Sequence, residues 1–145
     1  MYKFKADMYA DIRIEDRYNT IIAYVNGNLQ ELKERNEKRA FIRVFDGKMW
    51  YYSSTTDISR VQEKLDELYA QGKSNPKILS NKIVRRFEVN SDVKMQFGPV
   101  SVRNVPIEDK KALLLKYLPI VSSMKMMSMP TAKYVDRNSI FEFYS

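Results

Sequence analysis

Apolar and polar residues alternate through much of the first half of the chain. Ala10, Ile12 and Ile14 alternate with Asp11, Arg13 and Glu15, which predicts a strand with one wet face. Ile21, Ala23 and Val25 alternate with Thr20, Ile22 and Tyr24 in a second strand, and Asn26-Gly27 then supplies the residues of a type I′ turn. The alternation resumes over Leu29–Lys33 and meets a polar break at Glu34–Lys38. Ala40–Phe45 is the most strand-like piece, and Asp46-Gly47 signals a second hairpin with a return strand over Lys48–Ser54. Two hairpins in series make an antiparallel meander, because parallel neighbours would need a crossover of a dozen or more residues.

The period then changes. Ile58, Val61, Leu65, Leu68 and Tyr69 fall on one stripe of an amphipathic helix that Thr56 or Asp57 caps and Gly72 closes at the C′ position. Ile83–Val89 and Val93–Phe97 read as short strands. Pro106 suits the start of a second helix through Ile107, Leu114, Leu115 and Leu118, ending at Pro119. Lys125–Asp136 and Ser139–Tyr144 read as a hairpin or a pair of strands. The last apolar strand runs to the final residues, so the natural chain is expected to continue past Ser145.

These patterns predict an α+β fold: an antiparallel β-meander covered by an amphipathic helix, then a smaller β-α-β lobe. Residues 1–72 form the sheet and helix, 73–94 a connector with a short strand, and 95–145 the second lobe, cut short at its C-terminal end.

Charge is uneven along this layout. The 145 residues carry 25 basic and 18 acidic side chains, a net charge of +7. Residues 1–72 are neutral, whereas 73–94 set Lys73, Lys77, Lys82, Arg85, Arg86 and Lys94 against only Glu88 and Asp92. That connector reads either as a solvated linker or as a contact for an acidic surface, nucleic acid included.

Composition removes whole classes of chemistry. With no Cys there is no disulfide, thiolate nucleophile or cysteine-held metal, and with no His the commonest general base and metal ligand are both missing. Glu15 and Asp16 point to opposite faces of a strand, and Ser53, Ser54, Thr55 and Thr56 lack an activating His. Glu63, Asp66 and Glu67 lie opposite the apolar stripe as a solvated face. No DxDxDG-like loop offers a carboxylate metal site. The chain alone is not expected to be an enzyme. No apolar run approaches the roughly 20 residues that span a bilayer, and residues 1–10 lack a signal-peptide core, so a cytoplasmic location is expected.

The candidate contacts are aromatic, cationic and thioether side chains. Trp50 and Tyr52 share one face of their strand, which either lies under a neighbouring lobe or forms an aromatic surface for peptide or protein. Arg43 flanks the second hairpin turn as a solvated charge or as a further contact. Met126 and Met127, with Met124 and Met129, either fill core at the edge of the lobe or meet a partner. Nucleic-acid binding has no motif behind it, only the net charge.

Several segments resemble one known family. Ala10-Asp11-Ile12-Arg13-Ile14-Glu15 is similar to the ADVRVE strand that opens TldD/PmbA proteins. Phe41-Ile42-Arg43-Val44-Phe45-Asp46-Gly47-Lys48-Met49-Trp50 resembles their GVRV…DG…W hairpin. Ser53-Ser54-Thr55-Thr56-Asp57 resembles the ASTND step, and Val105-Pro106-Ile107-Glu108-Asp109-Lys110 the VPLEEK helix start. The resemblance implies a cytoplasmic, dimeric zinc metallopeptidase that processes peptides, of a family long described as candidate modulators of DNA gyrase. Its metal site, an HExxxH helix plus one further ligand, lies downstream of the matched part. None of those ligands maps onto this sequence, so zinc is expected in a C-terminal domain outside it. The implied role is that of a non-catalytic N-terminal domain that shapes peptide access or takes part in a homodimer or a heterodimer with a paralogue. The alternative is a basic nucleic-acid- or protein-binding module without enzymatic activity.

Overall fold

Asn26 and Gly27 both adopt positive φ, 50° and 77°, the backbone that a two-residue hairpin turn needs. They join the two long strands of the computed structural model, β1 (Tyr9–Val25) and β2 (Asn28–Phe45). The structure describes residues 2–87, 91–96, 100–124 and 128–145. Asp46–Met49 turns the chain into β3 (Trp50–Thr55), whose register pairs Phe41 with Ser54 and Phe45 with Trp50. With β4 (Thr131–Tyr144) the four strands form one antiparallel sheet in the order β3-β2-β1-β4.

Each predicted break inside a strand is absent. β1 runs unbroken through Asp16–Asn19, and β2 through Glu34–Lys38. β3 pairs with β2 only over Ala40–Phe45, so the charged stretch is bonded on one side and wet on both faces. A ladder needs no buried face to continue, which is why a polar run here is strand and not loop.

The chain divides into two compact units. The first comprises Met1–Asp16, Lys38–Lys94 and Ile140–Ser145. Its core is built from even-numbered residues of β1 and β2 (Ala10, Ile12, Ile14, Ala40, Ile42, Val44) under Val61, Leu65, Leu68 and Tyr69 of α1 (Val61–Gln71). Asp57 starts this segment by accepting a bond from the Ser59 amide, capping a 3-10 turn (Ile58–Arg60) that leads into α1. Gly72 closes α1 with φ −81°, not in the left-handed conformation. A Cβ at this position would lie 2.8 Å from Met8 Sδ and 3.4 Å from a Tyr51 ring carbon, so a side chain there would have to push the Met8 thioether aside.

The connector is folded over the end of this unit. Ile83–Val89 is not a strand over its described part: Val84–Arg86 is a 3-10 turn, as is Ile78–Ser80. Asn75 and Asn81 side chains accept bonds from the amides two residues on, which favours turns over a ladder. The turns bury Ile78 and Val84 with Phe45 against Tyr9 and Trp50. Residues 93–96 of the second predicted strand carry no regular structure, and Phe97 lies outside the described residues.

The second unit comprises Arg17–Glu37 and Met95–Ser139. Ile22 and Tyr24 of β1 pack with Ala132 of β4 and Leu114 of α2 (Ile107–Ser122). This helix passes through Pro119 instead of stopping there. The proline sits in the last turn, where the Leu115 carbonyl it leaves unbonded is near solvent, and Ser123 N–H bonds the Pro119 carbonyl. Lys110 of α2 is fixed by the Tyr18 hydroxyl (2.9 Å), the Thr20 hydroxyl (2.9 Å) and Asp136 (3.0 Å). The expected C-terminal pair of strands is the single strand β4, and Lys125–Met127 lie outside the described residues.

Candidate functional site

Within the first unit α1 covers the even-numbered face of β1 and β2, which leaves the odd-numbered face of the sheet to be accounted for. Strand alternation puts Tyr9, Asp11, Arg13 and Glu15 of β1 there, beside Arg39, Phe41, Arg43 and Phe45 of β2. The β2–β3 register adds Trp50, Tyr52 and Ser54.

Asp11 organises this face. Its carboxylate is fully buried, and Oδ2 accepts bonds from Arg43 Nε at 2.6 Å and Tyr9 Oη at 3.0 Å. Oδ1 has no hydrogen bond, its nearest cation being Arg13 Nε at 3.8 Å. Burial, and then the charge of Asp11, push the Tyr9 phenol up to about 12. Arg43 is not the solvated charge that its place beside the turn suggests: its side chain is 20% exposed, paired with Asp11 and set over the Trp50 ring at 4.7 Å. Trp50 stacks on Phe45 (4.6 Å) and Tyr52 (6.3 Å), and Tyr52 on Phe41 (5.9 Å). Thus Arg43, Trp50 and Tyr52 are gathered on one face, whereas Met126 and Met127 lie outside the described residues.

Next to this stack lies a cleft of about 820 Å³, lined by Arg13, Glu15, Arg39, Phe41, Thr56 and Phe141 among others. Arg39 closes on Glu15 through Nε and Nη2 at 2.8 and 2.5 Å. Arg13 stands over the Phe143 ring at 5.6 Å. Phe141 and Phe143 of β4 are both exposed. The cleft crosses all four strands, and three inter-strand gaps of about 4.8 Å make it roughly 14 Å across. The alternation in β1 and β2 was a usable signal for Arg13, Glu15, Arg39 and Phe41. Nothing in the sequence pattern pointed to Phe141, because the neighbour of β4 is fixed only by the fold.

The residues present do not suit zinc. The chain has neither His nor Cys, and among the described residues no three carboxylates converge on one point. Around the Asp46–Met49 turn, amide bonds from Met49 and Lys48 hold the Asp46 carboxyl below its ordinary value, so this acid is committed to the backbone. No described helix is long and apolar enough to cross a membrane.

Residues 10–75 match the family model described as PmbA/TldA metallopeptidase domain 1. None of the curated proteins matches the chain. Among solved structures, a candidate modulator of DNA gyrase from Thermotoga maritima superposes with a TM-score of 0.64 at 17% identity, over 94% of this chain and 31% of its own. A second candidate modulator of DNA gyrase, from Bacteroides thetaiotaomicron, gives 0.66 at 10% identity, over 93% of this chain and 32% of its own. TldE from Thermococcus kodakarensis gives 0.56 at 11% identity, over 94% and 34%. The chain therefore spans about a third of the length of each of these structures. At these identities the structures speak for the fold, while the family model speaks for the descent of the matched segment. Residues 10–75 thus match the first domain of the PmbA/TldA family, and the likeness in fold to the solved structures extends over nearly all of the chain.

Proposed function

We propose that this chain is the non-catalytic N-terminal part of a TldD/PmbA-type metallopeptidase, acting in the cytoplasm, and that the open part of its sheet face receives extended peptide on the way to catalysis. The observation that carries this reading is the cleft across the part of that face which the connector leaves open, with aromatic residues Phe41 and Phe141 and hydroxyl residues Ser54 and Thr56 in its lining. An extended peptide advances about 3.3 Å per residue, so roughly 14 Å of groove holds about four residues. Zinc would be held by residues outside this sequence. A role in a homodimer, or in a heterodimer with a paralogue, is compatible with the same face.

The test is a titration of the 145-residue protein with a short unfolded peptide, followed by amide chemical shifts. Shifts at residues 13–15, 39–41, 54–56 and 141 that persist at moderate salt support the reading. Shifts confined to residues 73–87, or none at all, overturn it. A second reading has its own observation: Lys73, Lys77, Lys82, Arg85 and Arg86 are exposed, and none makes an ion pair among the described residues. A polyanion such as single-stranded DNA would bind there and lose most of its affinity between low and moderate salt.

A further inference from the structure

The charged groups in and beside the cleft do not cancel. Asp11 and Glu15 face Arg13, Arg39 and Arg43. Arg43 is spent on Asp11, and Arg39 gives two of its nitrogens to Glu15. Arg13 is the least committed cation: its side chain is 52% exposed, its ion pair with Asp11 is long at 3.8 Å, and it makes no hydrogen bond among the described residues. A guanidinium carries five N–H donors in a planar fork that fits a carboxylate bidentately. Beside it stand Phe143, under the guanidinium, and Phe141, 70% exposed on the cleft wall.

Resting on the peptide-receiving role above, we propose that the groove selects segments with a carboxylate side chain next to aromatic residues, and that Arg13 is the anchoring cation. A surplus of one positive charge matches a singly charged carboxylate. Glu15, on the same strand face, opposes a more highly charged anion such as a phosphate. The aromatic neighbours of the bound acid would stack on Phe141 and Phe143 at one end, while the hydroxyls of Ser54 and Thr56 face its backbone at the other. The carboxylate thus sets register along the groove, and the aromatic contacts supply area.

The test uses the full chain and two tetrapeptides with blocked ends, identical except for one glutamate or glutamine between phenylalanines. Binding is followed by amide shifts and by the emission of Trp50, the single tryptophan. The glutamate peptide is expected to bind about ten-fold more tightly than the glutamine peptide at low salt, as a charge-assisted pair gives. Arg13→Gln should bring that ratio close to one, and Arg13→Lys should keep part of it. Equal binding of the two peptides by the unaltered protein, or a preference that Arg13→Gln leaves intact, overturns the inference. In either case shifts at the groove residues would leave the peptide-receiving role standing. Failure of both peptides to bind overturns the two together.

Discussion

A carboxylate buried as fully as Asp11 needs donors in place of the water it has lost, and Arg43 and Tyr9 are those donors. Arg43→Met therefore leaves a buried acid with its main partner gone, and the expected loss is about 3 kcal/mol in urea unfolding. Tyr9 carries a pH dependence with a definite sign. Its folded value, about 12, lies above the ordinary phenol value near 10, so the hydroxyl's contribution is complete below about pH 10. It is lost as pH rises from there through about 12. Stability measured across that window should fall for the native chain and fall less for Tyr9→Phe. Half of this site was legible beforehand: alternation alone puts Asp11, Arg13 and Arg43 on the face away from α1. What alternation does not give is register, and only register brings Arg43 of β2 onto Asp11 of β1.

At the scale of elements, turns and stripes were legible and terminations were not. Asn26-Gly27 and the Val61–Tyr69 stripe are local signals, each settled by a few neighbouring residues. Strand length is settled by a partner: β2 crosses its polar run because β1 bonds to it, and β4 is one strand for the same reason. The 83–87 segment reads as strand from its apolar residues, yet Asn81 and the burial of Val84 with Phe45 make it a turn. Pro119 is the sharpest case, since a proline that ends most helices here sits inside the last turn of α2. Pro119→Ala would restore a donor to the Leu115 carbonyl, and a gain of about 1 kcal/mol in thermal unfolding is expected.

For the whole chain, ligand inventory and charge decide more than shape. Without His or Cys, and with no converging carboxylates among the described residues, titration with zinc in a calorimeter should give no saturable heat. The other molecule-wide property follows from the outer side of β2. Over Glu34–Lys38 that side has no strand beside it among the described residues, so its backbone donors and acceptors offer a template to any passing strand. The alternating charges of Arg35, Glu37 and Lys38, which read from sequence as a loop, make that template unattractive to other strands. Replacing these three with valine should preserve the circular dichroism of the chain yet raise its light scattering with concentration. By that argument the charged run guards an open edge against self-assembly, a task that falls to three residues holding no part of the core.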